Sequence, residues 1–474
     1  MRWIAHIALS VLSLGAVAQH AHEPVDTVHT DRDRWIHPAP RFGSVRDVLH
    51  HMHFGGHVRN HAMATINNGP LHDHFTNATG GSIHFETPDF WGLRLGVGGI
   101  FTFNTIPTDL ERVDSISGRR AGWERELYDV SRPGERKDLD RLEELYVSFH
   151  YGRRSFLTYG KIDIDHGPLL QRHDGRMKPF VYKGFWSRFG ELGDHDIYLG
   201  WIDGVSPRGL TEWYPMHEAL GILSNGLQPD GSTAGYHDHV SSRGMAVAGF
   251  EGKAFDGLSW SLWNHWLHRA VNIAWMEARW ERGRFIAGLQ YVFEAPMPYE
   301  AGIEFTQRYM QPDERAHVVS GRLGIRDSAR GIEASINYLH GFATGRFLYP
   351  RELGRDVFFV SHSRTRMDGL GDMDMVAANV HLQPMRRGWE RFEMDLWLTR
   401  MMTSSDPAFN KYGLPSFYQG VLDLHYHLPG VLDGIELRLL YVSRWSDAAE
   451  APELADQAYR TNLHHINFVT NVHF

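Results

Sequence analysis

The sequence predicts an all-β fold: a transmembrane antiparallel β-barrel of about 18 strands, with short periplasmic turns at one rim and long extracellular loops at the other. Three observations point there. From about residue 52 onward, apolar and polar residues alternate with a period of two, the pattern of a strand with two unlike faces. The links between the alternating segments are themselves alternately tight and long. Glycine (48 residues) and aromatics (12%) are abundant, yet no interior segment approaches the roughly 20 apolar residues of a membrane helix.

At the N-terminus, Arg2 gives a positive start, Ile4 to Leu14 an apolar core, and Ala16-Val17-Ala18 a small-x-small cleavage pattern. Residues 1–18 therefore read as an export signal, with a mature chain expected from Gln19. The apolar run is too short to anchor in a bilayer, and with no cysteine in the chain a lipoprotein is excluded. Residues 19–50, rich in His, Asp and Pro, are expected to form an exposed periplasmic extension, and residues 51–474 the barrel.

Strands are expected near 52–66, 77–87, 91–104, 141–151, 155–161, 183–190, 194–203, 242–253, 258–268, 271–281, 284–293, 316–326, 331–341, 373–383, 390–402, 416–427, 435–445 and 464–474. In 435–445 the even positions carry Glu436, Arg438 and Arg444, while the odd ones are mostly apolar or aromatic. Phe285, Ala287, Leu289, Tyr291 and Phe293 likewise share one face. Tight turns fall at 87–91, 151–155, 190–194, 281–284 and 326–331, and long polar loops at 104–140, 161–183, 203–242, 293–316, 341–373 and 445–464. The short link at 268–271 is the exception.

One such segment would also suit a soluble sandwich with one wet face. The alternating links decide for a barrel, which must close because lipid tolerates no unpaired edge. Aromatics mark both rims, with Phe149 and Tyr151 at a turn and Tyr291, Phe293, Tyr441 and Trp445 at the loop side, and the chain ends on Phe474.

The net charge of -9 argues against a nucleic-acid partner. Absence of cysteine removes thiolate zinc sites and Cys nucleophiles. No G-x-S-x-G elbow or nucleotide-binding glycine loop is present, and Gly96-Val97-Gly98-Gly99 sits mid-strand, so neither catalysis nor a cofactor is expected. The chain ahead of the first strand is too short for the plug of an active transporter. An adhesin or structural barrel would need a filled lumen, which suits about eight strands rather than 18.

Alternation turns Arg59, Arg322, Arg438 and Arg444 inward, as a basic ladder that would attract anions. The alternative is that each pairs across the wall with Glu393, Asp395, Asp423 or Glu436. The loop 161–183 is stiffened by Pro168 and Pro179 and charged by Arg172, His173, Asp174, Arg176 and Lys178, and is expected to fold inward as a constriction. The loop 341–373, with Arg364, Arg366, Asp368 and Asp372, is the expected opposing wall. Cations facing carboxylates would set up a transverse field that orients a zwitterionic or carboxylate solute. The alternative is a charged surface lid.

Histidines cluster too. His53, His57 and His61 share a face of the first strand, and closure should bring His53 near His473 at the periplasmic mouth. His53, His57 and His473 could chelate zinc or copper. The reading preferred over it is a set of neutral lumen histidines bonded to water, so no metal is assigned.

Gly160-Lys161, Gly167-Pro168, Asp174-Gly175-Arg176, Pro179 and Tyr182-Lys183-Gly184 resemble the G-R-Q…P…D-x-R-x-x-P-x-x-F-x-G signature around the third extracellular loop of the OprD family of outer-membrane porins. Gly55-Gly56-His57-Val58-Arg59-Asn60 and Ala64-Thr65-Ile66-Asn67-Asn68 are similar to that family's first strand. The resemblance covers most of residues 50–474. It implies a usually monomeric barrel of about 18 strands in the outer membrane of a Gram-negative bacterium, narrowed by the infolded third loop. It also implies passive diffusion of small polar or anionic solutes, such as amino acids or carboxylates, past basic side chains. Its partners would be outer-membrane lipids and the barrel-assembly machinery, which would dock Phe474. Lys161 stands where Arg-Gln is expected, and histidine is unusually frequent (31), departures that leave the solute class open. An adhesin, structural or metal-binding barrel is the alternative.

Overall fold

A computed structural model describes residues 44–106, 108–131, 140–172, 175–386, 388–448 and 452–474. The expected export signal, most of the expected N-terminal extension, His173 and Asp174 lie outside the described residues.

A one-turn-and-a-half helix, α1 (Val45–His50), is capped by Ser44, whose hydroxyl accepts from the Asp47 amide. It leads into β1 (His53–Asn67), β2 (His74–Glu86), β3 (Leu93–Ile106), β4 (Arg141–His150), β5 (Phe156–Ile162), β6 (Val181–Leu192) and β7 (His195–Ser206). After the two-residue β8 (Tyr214–Pro215) come β9 (Met245–Phe255), β10 (Leu258–Leu267), β11 (Val271–Arg282), β12 (Phe285–Pro296) and β13 (Ala316–Asp327). The set ends with β14 (Ile332–Gly341), β15 (Met373–Leu382), β16 (Phe392–Met402), β17 (Phe417–His427), β18 (Ile435–Ser446) and β19 (Leu463–His473).

All neighbours pair antiparallel in chain order, β7 pairs directly with β9, and β19 pairs with β1, which closes the sheet. β8 is a short ladder beside β7 in a loop, so eighteen strands span the wall. Every expected strand is present, each end within three residues of its expected place. Period two is strongly specified where one face meets lipid and the other does not.

The outer face is apolar: Leu289, Leu323, Ile336 and Leu398 are each more than half exposed. A continuous apolar exterior of this kind is a lipid contact. Aromatics sit at the turn rim, where Tyr151 lies between Phe149 and Phe189.

The inner face changes character along each strand of one side of the barrel. At their loop ends β14 to β18 turn Leu339, Met375, Trp397, Val421 and Val442 inward, and at their turn ends Glu333, His381, Asp395, His425 and Glu436. The apolar ends pack against the loop 342–372, which buries Phe347, Leu348, Leu353, Phe358 and Val360 inside the barrel. Trp275 meets Phe358 with ring centroids 4.6 Å apart. Burying each such side chain stabilises by about 1.5–3 kcal/mol, comparable with the ordering cost of the residues that carry them. The loop at 342–372 is therefore a folded insert, more apolar than the charged wall its sequence suggested.

Candidate functional site

Three loops meet inside the barrel. The loop 163–180 buries Leu169, Leu170, Met177 and Phe180 and joins the 342–372 insert, where the Tyr182 hydroxyl donates to the Leu353 carbonyl at 2.7 Å. Gly354 lies at this junction with φ +154, and a Cβ there would come within 2.4 Å of the Leu169 carbonyl oxygen. Only glycine fits that approach. The third loop, 108–131, supplies Glu124 and Glu126. Fully buried Glu124 accepts from the Tyr459 hydroxyl at 2.7 Å, and burial pushes its carboxyl up.

Glu126 is the meeting point of the charges. The Arg176 guanidinium lies 2.7 Å and that of Arg208 3.6 Å from its carboxylate. Burial alone would raise its pKa, but Arg176, Arg208 and Arg364 hold it at about 2. Arg208 is pulled down to about 9, by burial first and then by Arg176, Arg355 and Arg366, which outweigh Glu126. Burial, Arg351 and Arg355 lower Arg366 as well. Arg355 donates to the His362 and Thr365 carbonyls, and Arg366 to that of Gly354 at 2.8 Å. Arg208, Arg355, Arg364 and Arg366 are all partly exposed inside the lumen. Among the described residues, Arg176, Arg208, Arg355, Arg364 and Arg366 outnumber the carboxylates that act on them, Glu124, Glu126, Asp356 and Asp368.

The expected constriction residues are placed unevenly. Arg176, Arg364 and Arg366 belong to the cluster. Arg172 does not face it: its guanidinium pairs with Asp163 and lies 3.7 Å from Glu143 in the wall. Lys178 is fully buried, its amine has no hydrogen-bond partner among the described residues, and burial above all lowers it to about 7. Asp368 is held by Arg351 at 2.8 Å and by the Tyr412 hydroxyl at 3.2 Å, and Asp372 is exposed. Among the described residues, Asp368 and Asp372 therefore do not form a carboxylate wall facing the loop 163–180, and Asp174 lies outside them.

All four ladder arginines point inward and are buried. Arg438 meets one of the carboxylates weighed for it, Asp423, with Nε at 2.8 Å. Arg322 donates to Asn337 at 2.8 Å and stacks over Phe359. Arg59 donates to the Arg176 carbonyl, and Arg444 to the Arg364 carbonyl at 2.6 Å. These two grip the infolded loops.

The mouth histidines also shift. The register pairs His57, not His53, with His473, at 5.9 Å between ring centroids, while His53 sits opposite Glu86 and is exposed. β1 starts four residues beyond its last partner on β19, which leaves His53 outside that pairing. His57 shares a hydrogen bond with Ser82 at 2.9 Å.

Sequence reasoning missed Glu126, Arg208 and Arg355. They lie in loops without periodicity, and only their proximity in the folded lumen distinguishes them.

No family model matches the chain, and no curated protein does. Solved structures match over nearly the whole barrel. OccK9 (OpdG) of Pseudomonas aeruginosa is 13% identical, with 90% of this chain and 100% of that one covered at a TM-score of 0.68. OccAB2 of Acinetobacter baumannii is 13% identical, covering 90% and 98% at 0.67. OpdK of Pseudomonas aeruginosa, determined with vanillate, is 14% identical, covering 90% and 99% at 0.61. At these identities the likeness establishes a shared barrel fold.

Proposed function

We propose that this chain, folded as the OprD-like barrels it resembles, is a passive outer-membrane porin whose constriction selects small anionic solutes, carboxylates first. One observation carries the reading. Arg176 and Arg208 meet Glu126 inside the lumen, Arg364 acts on Glu126 and Arg355 and Arg366 on Arg208, so that among the described residues these five guanidinium groups outnumber the carboxylates that act on them, Glu124, Glu126, Asp356 and Asp368. In a narrow low-dielectric passage such an excess of one sign attracts the opposite charge and rejects its own. Guanidinium groups also pair with carboxylates bidentately. Vanillate, the molecule in the OpdK structure, carries such a group.

The test is liposome swelling with neutral, cationic and anionic solutes of equal size, together with reversal potentials in a salt gradient. Faster uptake of monocarboxylates and an anion-preferring reversal potential are expected. A cation preference overturns the reading. The apolar insert at 342–372 favours a second reading, a filled structural barrel, and the absence of both swelling and conductance would establish it.

A further inference from the structure

Away from the constriction, near the turn rim, β15 and β16 pair with His381 directly opposite Asp395. Glu393 lies two residues before Asp395 on the same inner face of β16, as period two dictates. One ligand atom from each of the three lies within 4.8 Å of the others, and His381 Nδ1 is 3.2 Å from an Asp395 oxygen. His381 and Asp395 are buried, at 4% and 7% exposure, while Glu393 is partly exposed and opens the group to the lumen.

The charges of this group are not balanced from within. Arg326 is taken by Glu333 and Glu281, and Arg438 by Asp423. Among the described residues neither Glu393 nor Asp395 has an Arg or Lys in ion-pair contact, and the residue across from Asp395 on β17 is another carboxylate, Asp423. His425, opposite Glu393, is itself taken by Asp423 and Glu436, so two carboxylates on a half-dry wall have one imidazole, His381, to offset them. A divalent cation supplies the missing charge, and the ligands set its class. An imidazole beside two carboxylates, fixed on paired strands, suits a zinc-like first-row ion better than Ca2+ or Mg2+, which prefer oxygen alone. Three protein ligands leave a coordination position open to lumen water.

We propose that His381, Glu393 and Asp395 form a binding site for a zinc-class divalent cation in the lumen wall, below the arginine constriction. It stands independently of the solute the channel passes, because it is read by binding to purified protein.

The full-length barrel in detergent, stripped with chelator, is titrated with ZnCl2 by calorimetry beside the His381→Asn/Glu393→Gln/Asp395→Asn variant. The other histidines are common to both, so the difference between the two is read. The wild type should bind one zinc more than the variant, and Co2+ in its place should give a d–d absorption that the variant lacks. Retained heat-modifiable mobility confirms that the variant has folded. If it has not, Asp395→Asn alone should weaken the site about tenfold or more. Equal zinc stoichiometry and equal Co2+ spectra in wild type and a folded variant overturn the site.

Discussion

Arg176 acts through both its side chain and its backbone: its guanidinium meets Glu126, while its carbonyl accepts from Arg59. Removing the side chain therefore removes charge and leaves the loop's anchor in place. Arg176→Ala with Arg208→Ala should shift the reversal potential toward cations and slow carboxylate uptake severalfold, measured in planar bilayers and by swelling. Glu126→Gln should do the opposite, because it strips the only carboxylate in contact with those two cations among the described residues. Lys178 makes a different prediction. Its folded pKa of about 7 lies below its unfolded value near 10.4, so between these values the unfolded chain binds the proton and the folded chain does not. Stability should then rise with pH across that window, by up to about 1.4 kcal/mol per unit, and level off below it. Lys178→Met should flatten the profile and raise stability at neutral pH. Urea unfolding in detergent at several pH values checks both.

At the scale of the element, the strands are legible in the sequence and the loops are not. A strand between lipid and lumen writes a two-residue period into its sequence, so alternation alone aims Arg59, Arg322, Arg438 and Arg444 inward, where they lie. A loop has no such period. The run Val357-Phe358-Phe359-Val360 is the available sign that 342–372 packs inside the barrel, and the charges around it mask it. The same blindness assigns Arg172, Lys178 and Asp368 to a pore wall that they turn away from, since burial in a loop is settled by tertiary neighbours. The insert makes its own prediction through Gly354. Gly354→Ala must clash with the Leu169 carbonyl and adopt a left-handed backbone, at a cost of about 1–3 kcal/mol. It should loosen the two loops from each other, raise single-channel conductance and expose 342–372 to protease. Unchanged conductance and digestion would show that the junction does not set the aperture.

For the whole molecule, closure depends on the pairing of β1 with β19. Phe474 exchanges backbone hydrogen bonds with Gly56, both at 3.1 Å, and its ring lies 5.6 Å from that of Phe54. Deleting Phe474 should reduce membrane-inserted, heat-modifiable protein severalfold, because the seam loses its last pairing and its lipid-facing ring together. Topology offers a second check: tags inserted at 230–231 or 446–448 should be labelled on intact cells, and tags at 193–194 or 328–330 should not. The seam also bears on how the pore can change. Arg59, on β1 at the seam, and Arg444, on β18 one strand beyond it, hold the infolded loops by main-chain oxygens, which every residue type offers alike. Such a grip does not read the side chains it holds. The loops are in effect interchangeable inserts in a fixed socket: their outward-facing residues can be rewritten for another solute while the attachment survives, which makes this barrel a scaffold for redesigning selectivity.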